Sequence, residues 1–219
     1  MIESLERKKQ RIKKILFLLK KNYPTAHCAL NFTNPLELLV ATQLSAQCTD
    51  KRVNQVTQKL FKKYKTAKDY AQSKLPELEQ DIKSTGFFRN KARHLKETGL
   101  KLEKEHKGIV PKNFKQLTEL PGVGNKTAHV VMGNAFHIPS GVVVDTHVKR
   151  LSQRMALVET KSVQQIEKKL ETLIPKKYWI IFSHWFIEHG RKICTARKTH
   201  CSICFLHKNC PYPKSLNRN

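Results

Sequence analysis

The chain is predicted to be all-α. Apolar residues recur at helical spacing along nearly its whole length, residues that cap helices stand before most of those runs, and the one stretch that reads as extended, 141–144, is too short to make a sheet. The first helix covers 3–21, where Leu5, Ile12, Ile15, Leu16 and Leu19 share one face and the intervening lysines and arginines fall on the other. Further starts are signalled by Asn34 before Pro35, Asp50 before Lys51, Asn90 before Lys91, Asn113 before Phe114, Asp145 before Thr146, and Ser162 with Gln165 as a capping box. Gly86, Gly108 and Gly141 separate the segments, and Pro111, Pro139 and Pro175 stand beyond helix ends. The result is about ten helices with short connections. A boundary falls at 136–141, where a helix ends and the composition changes: only Asp145, Glu159, Glu167, Glu171 and Glu188 supply acid beyond it.

The 219 residues include 42 Lys and Arg against 17 Asp and Glu, a net charge of +25 that calls for a polyanion or a membrane surface, nucleic acid being the usual one. A basic proteome encoded by an A+T-rich genome is the alternative source of such a charge. Placement adds to magnitude, because no acid follows Glu188 while Arg191, Lys192, Arg197, Lys198, Lys208, Lys214 and Arg218 do. With 39% apolar residues and ten Phe, the chain is too hydrophobic for a disordered polyelectrolyte. Its longest apolar runs are about five residues, against about 18 for a membrane span, and no cleavage site follows the first of them, so a soluble, cytoplasmic protein is expected.

Three motifs carry chemistry. Cys194, Cys201, Cys204 and Cys210 follow a C-x6-C-x2-C-x5-C spacing, which lets four thiolates surround one metal centre. Zinc and a [4Fe–4S] cluster both accept four cysteines, and the spacing leans only slightly to iron–sulfur; disulfides fit poorly with a reducing cytosol. Cys28 and Cys48 read as buried structural thiols. In 120–128, Asn125 stands where a Walker loop needs glycine, and no strand precedes a dinucleotide fingerprint. What remains is a Gly122-Val123-Gly124 turn between two helices, whose free amides suit one phosphate. Lys126 follows in the first turn of the second helix, where the helix dipole disfavours an ammonium and so favours the neutral amine a nucleophile requires. A phosphate-contacting lysine is the plainer reading. Asp145, after the extended stretch, can cap the helix at Thr146 and can also stabilise a developing cation or move a proton. His147 reads as structural or phosphate-facing.

Together these features resemble endonuclease III, a family of bifunctional DNA glycosylases and apurinic/apyrimidinic lyases. The stretches 32–35, 44–47, 144–147 and 184–191 occur in that family's order and spacing, and the likeness covers almost the whole chain. The resemblance implies a two-domain helix-hairpin-helix glycosylase fold: a six-helix barrel at 28–138, with its hairpin at about 114–136, and an iron–sulfur cluster domain of 1–27 plus 139–219. It implies Lys126 as nucleophile and Asp145 as the essential acid. Gln47 would fill the gap left by the extruded nucleotide, and Phe87 would act as a wedge where the family commonly has leucine. Gly122, Val123, Gly124, Arg197 and Lys198 would contact DNA, and the four cysteines would hold a structural [4Fe–4S] cluster. The implied partner is double-stranded DNA containing damaged pyrimidines or abasic sites, met by a monomer. Cys48 and Gly133 depart from the family's common Ala and Asn. A monofunctional adenine-mismatch glycosylase generally lacks the lysine at 126, and a DNA-structure-binding protein would bind without covalent chemistry.

Overall fold

A computed structural model describes residues 3–213, so Lys214 and Arg218 lie outside the described residues. In chain order the α-helices are α1 Leu5–Asn22, α2 Pro35–Leu44, α3 Asp50–Lys63, α4 Ala67–Gln72, α5 Leu75–Ile82, α6 Phe88–His106, α7 Phe114–Thr118, α8 Asn125–Phe136, α9 Thr146–Arg154, α10 Val163–Leu173 and α11 Trp179–Lys192. Among the described residues the only β pairing is an isolated bridge between Cys194 and Thr199. The helices form two compact units, Cys28–Ser140 and the segments on either side of it, up to His27 and from Gly141. None of the described helices is long and apolar enough to cross a membrane.

Local chemistry explains most of the helix starts. The side chains of Asn34, Asn113, Asp145 and Ser162 each accept a hydrogen bond from the amide three residues on, which satisfies a donor the helix leaves unpaired. Three expectations need correction. Thr49, not Asp50, caps α3. Asn90 lies inside α6, because Phe87 adopts the left-handed conformation at its N-cap (φ 48°, ψ 28°) and starts the helix earlier. Ser162 and Gln165 make only half of a capping box, since the Gln165 side chain accepts from the Thr160 hydroxyl at 2.6 Å instead. A complete box stands at Thr66 and Asp69, which close reciprocally on each other's backbone.

Each unit has its own core. In the contiguous unit, Leu38, Leu39, Leu44, Val53, Leu78, Ile82, Leu95, Leu102, Leu117 and Val131 are buried together. In the other, Ile12, Ile15 and Leu19 of α1 pack with Val148, Leu151, Ile166, Leu170, Phe182 and Phe186, while Leu5, expected on the same face, is 52% exposed. Arg11 ties this unit together. Its guanidinium donates to the carbonyls of Met155 at 2.8 Å, Asn209 at 3.2 Å and Ala156 at 3.4 Å, and pairs with Glu3 at 2.6 Å. That contact holds the Glu3 carboxyl below its ordinary range.

Helices α4 and α6 approach so closely at Gly99 that a Cβ there would lie 2.6 Å from the Ala67 carbonyl and 2.6 Å from the Ala71 amide. Backbone cannot yield as a flexible side chain can. Gly99→Ala is therefore expected to destabilise the protein by about 2–3 kcal/mol, read from the midpoint of urea unfolding, despite alanine's higher helix propensity.

Candidate functional site

The helix-hairpin-helix is α7, a turn at 119–124 and α8. The turn is fixed from beneath: the Pro121 carbonyl accepts from Gln43 Nε2 at 2.7 Å and from the Thr98 hydroxyl at 3.1 Å. Gly122 is required twice over, by its φ of +71° and because a Cβ would sit 2.7 Å from His94 Nδ1. Val123 turns its side chain into the core at 5% exposure, and its N–H donates to the Leu120 carbonyl at 3.1 Å. Gly124 is the N-cap of α8, and no side chain caps that end. A Cβ at Gly124 would meet nothing within 4 Å, so packing does not demand glycine there; the open space leaves room for a ligand beside the first-turn amides. Lys126, the second residue of α8, is exposed on that same turn.

Gln47 and Phe87 share an unusual geometry in the same unit. Both are exposed, Phe87 by 64%, and both hold the left-handed backbone, at φ 54° and 48°. For bulky residues this costs about 1–3 kcal/mol each, and such strain collects at functional turns.

Asp145 belongs to the other unit. Its carboxylate caps α9, one oxygen accepting from the Val148 amide at 2.7 Å while the other meets His147 Nδ1 at 2.9 Å. Its side chain is 15% exposed. His184 of α11 is close enough to feel that charge. Burial pushes His184 down to about 4, His27 pushes the same way, and Asp145 opposes them. Because the unfolded chain binds this proton near pH 6.5 and the fold does not, His184 contributes stability that is complete above pH 6.5 and is lost as pH falls toward 4. In His184→Gln the dependence of unfolding free energy on pH should become shallower by up to about one proton across that window, as measured by denaturant titration at stepped pH.

Cys194, Cys201, Cys204 and Cys210 are all free thiols, partly buried, and all four line one small pocket with His189, Arg154, Ile193 and Leu206. Burial, with the neighbouring sulfurs adding to it, pushes the Cys210 thiol up to about 11 and raises Cys204 as well. A bound cation would reverse that balance and hold the thiolates. Burial pushes His189 down to about 4; its Nδ1 shares a hydrogen bond with the Tyr23 hydroxyl (3.0 Å) and its Nε2 lies 3.6 Å from Cys204 Sγ. Arg154 donates to Cys194 Sγ at 3.3 Å and to the carbonyls of Thr195 and Ala196. The loop between the first two cysteines is thus held at its base. Thr195 and Lys198 close it through a hydroxyl-to-carbonyl and an amide-to-hydroxyl bond, leaving Arg197 and Lys198 exposed at the tip.

The structure therefore gathers Gln47, Phe87, Gly122, Gly124 and Lys126 in one unit, and Asp145, Arg197, Lys198 and the four cysteines in the other. Lys91 and Arg154 emerge only in three dimensions, as do the contacts of His184 and His189 within the 184–191 stretch. Cys28 and Cys48, expected as buried thiols, are half-buried against the first core, and burial raises the Cys28 thiol.

Residues 40–176 match the family model for HhH-GPD superfamily base excision DNA repair protein. The chain is 49% identical over 211 residues to endonuclease III of Synechocystis sp., covering 96% of each chain, and 44% identical over 203 residues to endonuclease III of Bacillus subtilis, covering 91% of this chain and 92% of that one. A solved structure of a trapped endonuclease III–DNA covalent intermediate superposes with a TM-score of 0.90 at 45% identity, over 96% of this chain and 99% of that one.

Proposed function

Because the chain belongs to the HhH-GPD superfamily of base excision DNA repair proteins and is a DNA glycosylase of that kind, we propose that it removes oxidised or ring-saturated pyrimidines from duplex DNA and then cleaves 3′ to the vacated site as a lyase, acting as a monomer in the cytoplasm. The observation that carries this reading is an exposed amine, Lys126, on an uncapped helix N-terminus in a chain 45% identical to a protein solved as a covalent intermediate with DNA.

A base inside a duplex is out of reach, so the nucleotide must be extruded, and a lesion that stacks poorly costs less to extrude. Phe87 wedges the stack and Gln47 fills the vacated space. Gly122 and Gly124, with the first-turn amides of α8, hold one phosphate, while Arg197 and Lys198 hold others. The Val123 side chain takes no part in that contact, because it lies in the core.

Lys126 attacks C1′ as the neutral amine, and the bond to the base breaks with its electron pair leaving on the base. Asp145 stabilises positive charge on the sugar or takes the proton the amine sheds. Ring opening gives a Schiff base between Lys126 and C1′. Loss of a 2′ proton then expels the 3′ phosphate, and water releases the lysine. Both activities thus pass through one covalent intermediate.

The four cysteines suit a [4Fe–4S] cluster. All four cysteines line one pocket, as four ligands of a single closed site would. When bound, the cluster would lock the 195–198 loop; with four protein ligands it keeps no open position for hydrolysis.

Borohydride trapping tests the reading. Incubated with duplex DNA containing thymine glycol or an abasic site, the wild-type protein is expected to form a reduced, gel-stable adduct. Base release without any adduct would overturn the lyase proposal.

A further inference from the structure

Lys91 is a buried cation whose partners are not acids. It is the fourth residue of α6, 6% exposed, and its ammonium donates to the Leu44 carbonyl at 2.8 Å and the Thr85 carbonyl at 2.8 Å. Among the described residues no carboxylate pairs with it. Leu44 ends α2, three residues before Gln47; Thr85 stands two residues before Phe87. The Lys91 amide in turn donates to the Phe87 carbonyl at 3.1 Å. One residue therefore bonds to both of the turns that present the exposed, left-handed Gln47 and Phe87.

This arrangement is costly for packing alone. Burial pushes the Lys91 ammonium below its ordinary range, and the first turn of α6 is an unfavourable place for positive charge. An apolar side chain of similar length would fill the space without desolvating a cation. What the ammonium adds is a cross-tie between two backbone carbonyls far apart in sequence, one of them at the C-terminal end of α2, where a cation is favoured.

We propose that Lys91 is a positioning residue for opening the DNA stack: by tying the turn of Gln47 to the turn of Phe87, it makes the two side chains enter a duplex as one rigid pair. The inference rests on the reading above, in which Gln47 and Phe87 enter DNA. It does not involve the chemical step.

The test uses duplex DNA with 2-aminopurine stacked beside an uncleavable tetrahydrofuran site, so that fluorescence reports opening without catalysis. Wild-type protein should raise the fluorescence, and Phe87→Ala should not. Lys91→Met should keep the melting temperature and bind the duplex within about threefold of wild type, yet open it about fivefold or more slowly. Lys91→Arg, which keeps the charge and the donors, should recover much of the rate. Opening by Lys91→Met at the wild-type rate would overturn the proposal. Should Lys91→Met fail to fold, amide hydrogen exchange of the wild type decides the matter: the turns at 44–48 and 85–88 should exchange with one common opening energy, and independent exchange sinks the tie. If wild-type protein leaves the fluorescence unchanged, the intercalation reading fails and takes the DNA role of Lys91 with it, whereas intact opening with an unaffected Lys91→Met removes Lys91 alone.

Discussion

Lys126→Ala will abolish borohydride trapping and lower strand scission on lesion-containing duplex by on the order of a thousandfold or more. Lys126 is exposed in the first turn of α8, so its truncation removes no packing, and the variant should melt with the wild type. Lys126→Arg separates the two roles a lysine can play here. Arginine preserves the phosphate contact but cannot act as a neutral amine, so it should bind DNA as the wild type does and still fail to trap. Recovery of trapping in Lys126→Arg, or trapping undiminished in Lys126→Ala, would assign the Schiff base to a different amine.

Cys204→Ala carries the second large effect. Wild-type protein purified without air should be brown with broad visible absorption, and the variant should be colourless. Breaking one of four cluster ligands should lower stability by on the order of 3 kcal/mol or more, since binding energy at a structural metal site is folding energy. The cations of the 195–198 loop should lose their fixed position, weakening DNA affinity by about tenfold at moderate salt. Arg154 and Arg150 still hold the Cys194 carbonyl at the base of that loop, so the unit should not unfold outright. Colourless wild-type protein with stoichiometric zinc would remove the iron–sulfur assignment and leave the glycosylase standing.

Much of this was legible in the sequence because it was local. Asn34, Asn113, Asp145 and Ser162 announce their helices because a cap is a contact over three residues. The cysteine ladder and the Gly-Val-Gly turn are short-range patterns of the same kind. Failures occur where a distant contact decides. Asn90 looks like a cap, but α6 begins at Phe88 from a strained residue whose conformation no propensity favours. Gln165 belongs to a capping box by spacing, yet the Thr160 hydroxyl takes its side chain. Lys91 is one of 42 basic residues, and only the folded chain shows that it is buried between two carbonyls. His184 and His189 stand in a stretch whose spacing is legible, but their lowered proton affinity comes from burial, which only the fold supplies.

The Arg11 network dictates an order of events during synthesis. The ribosome releases the unit Cys28–Ser140 as one uninterrupted length, able to reach its native form while the remainder of the message is still being read. Helix α1 is made before that unit yet completes its contacts after it, since the carbonyls its guanidinium holds belong to Met155, Ala156 and Asn209. Until then Ile12, Ile15 and Leu19 lack the core partners supplied from Val142 onward, and the apolar face of this nascent amphipathic segment stays uncovered.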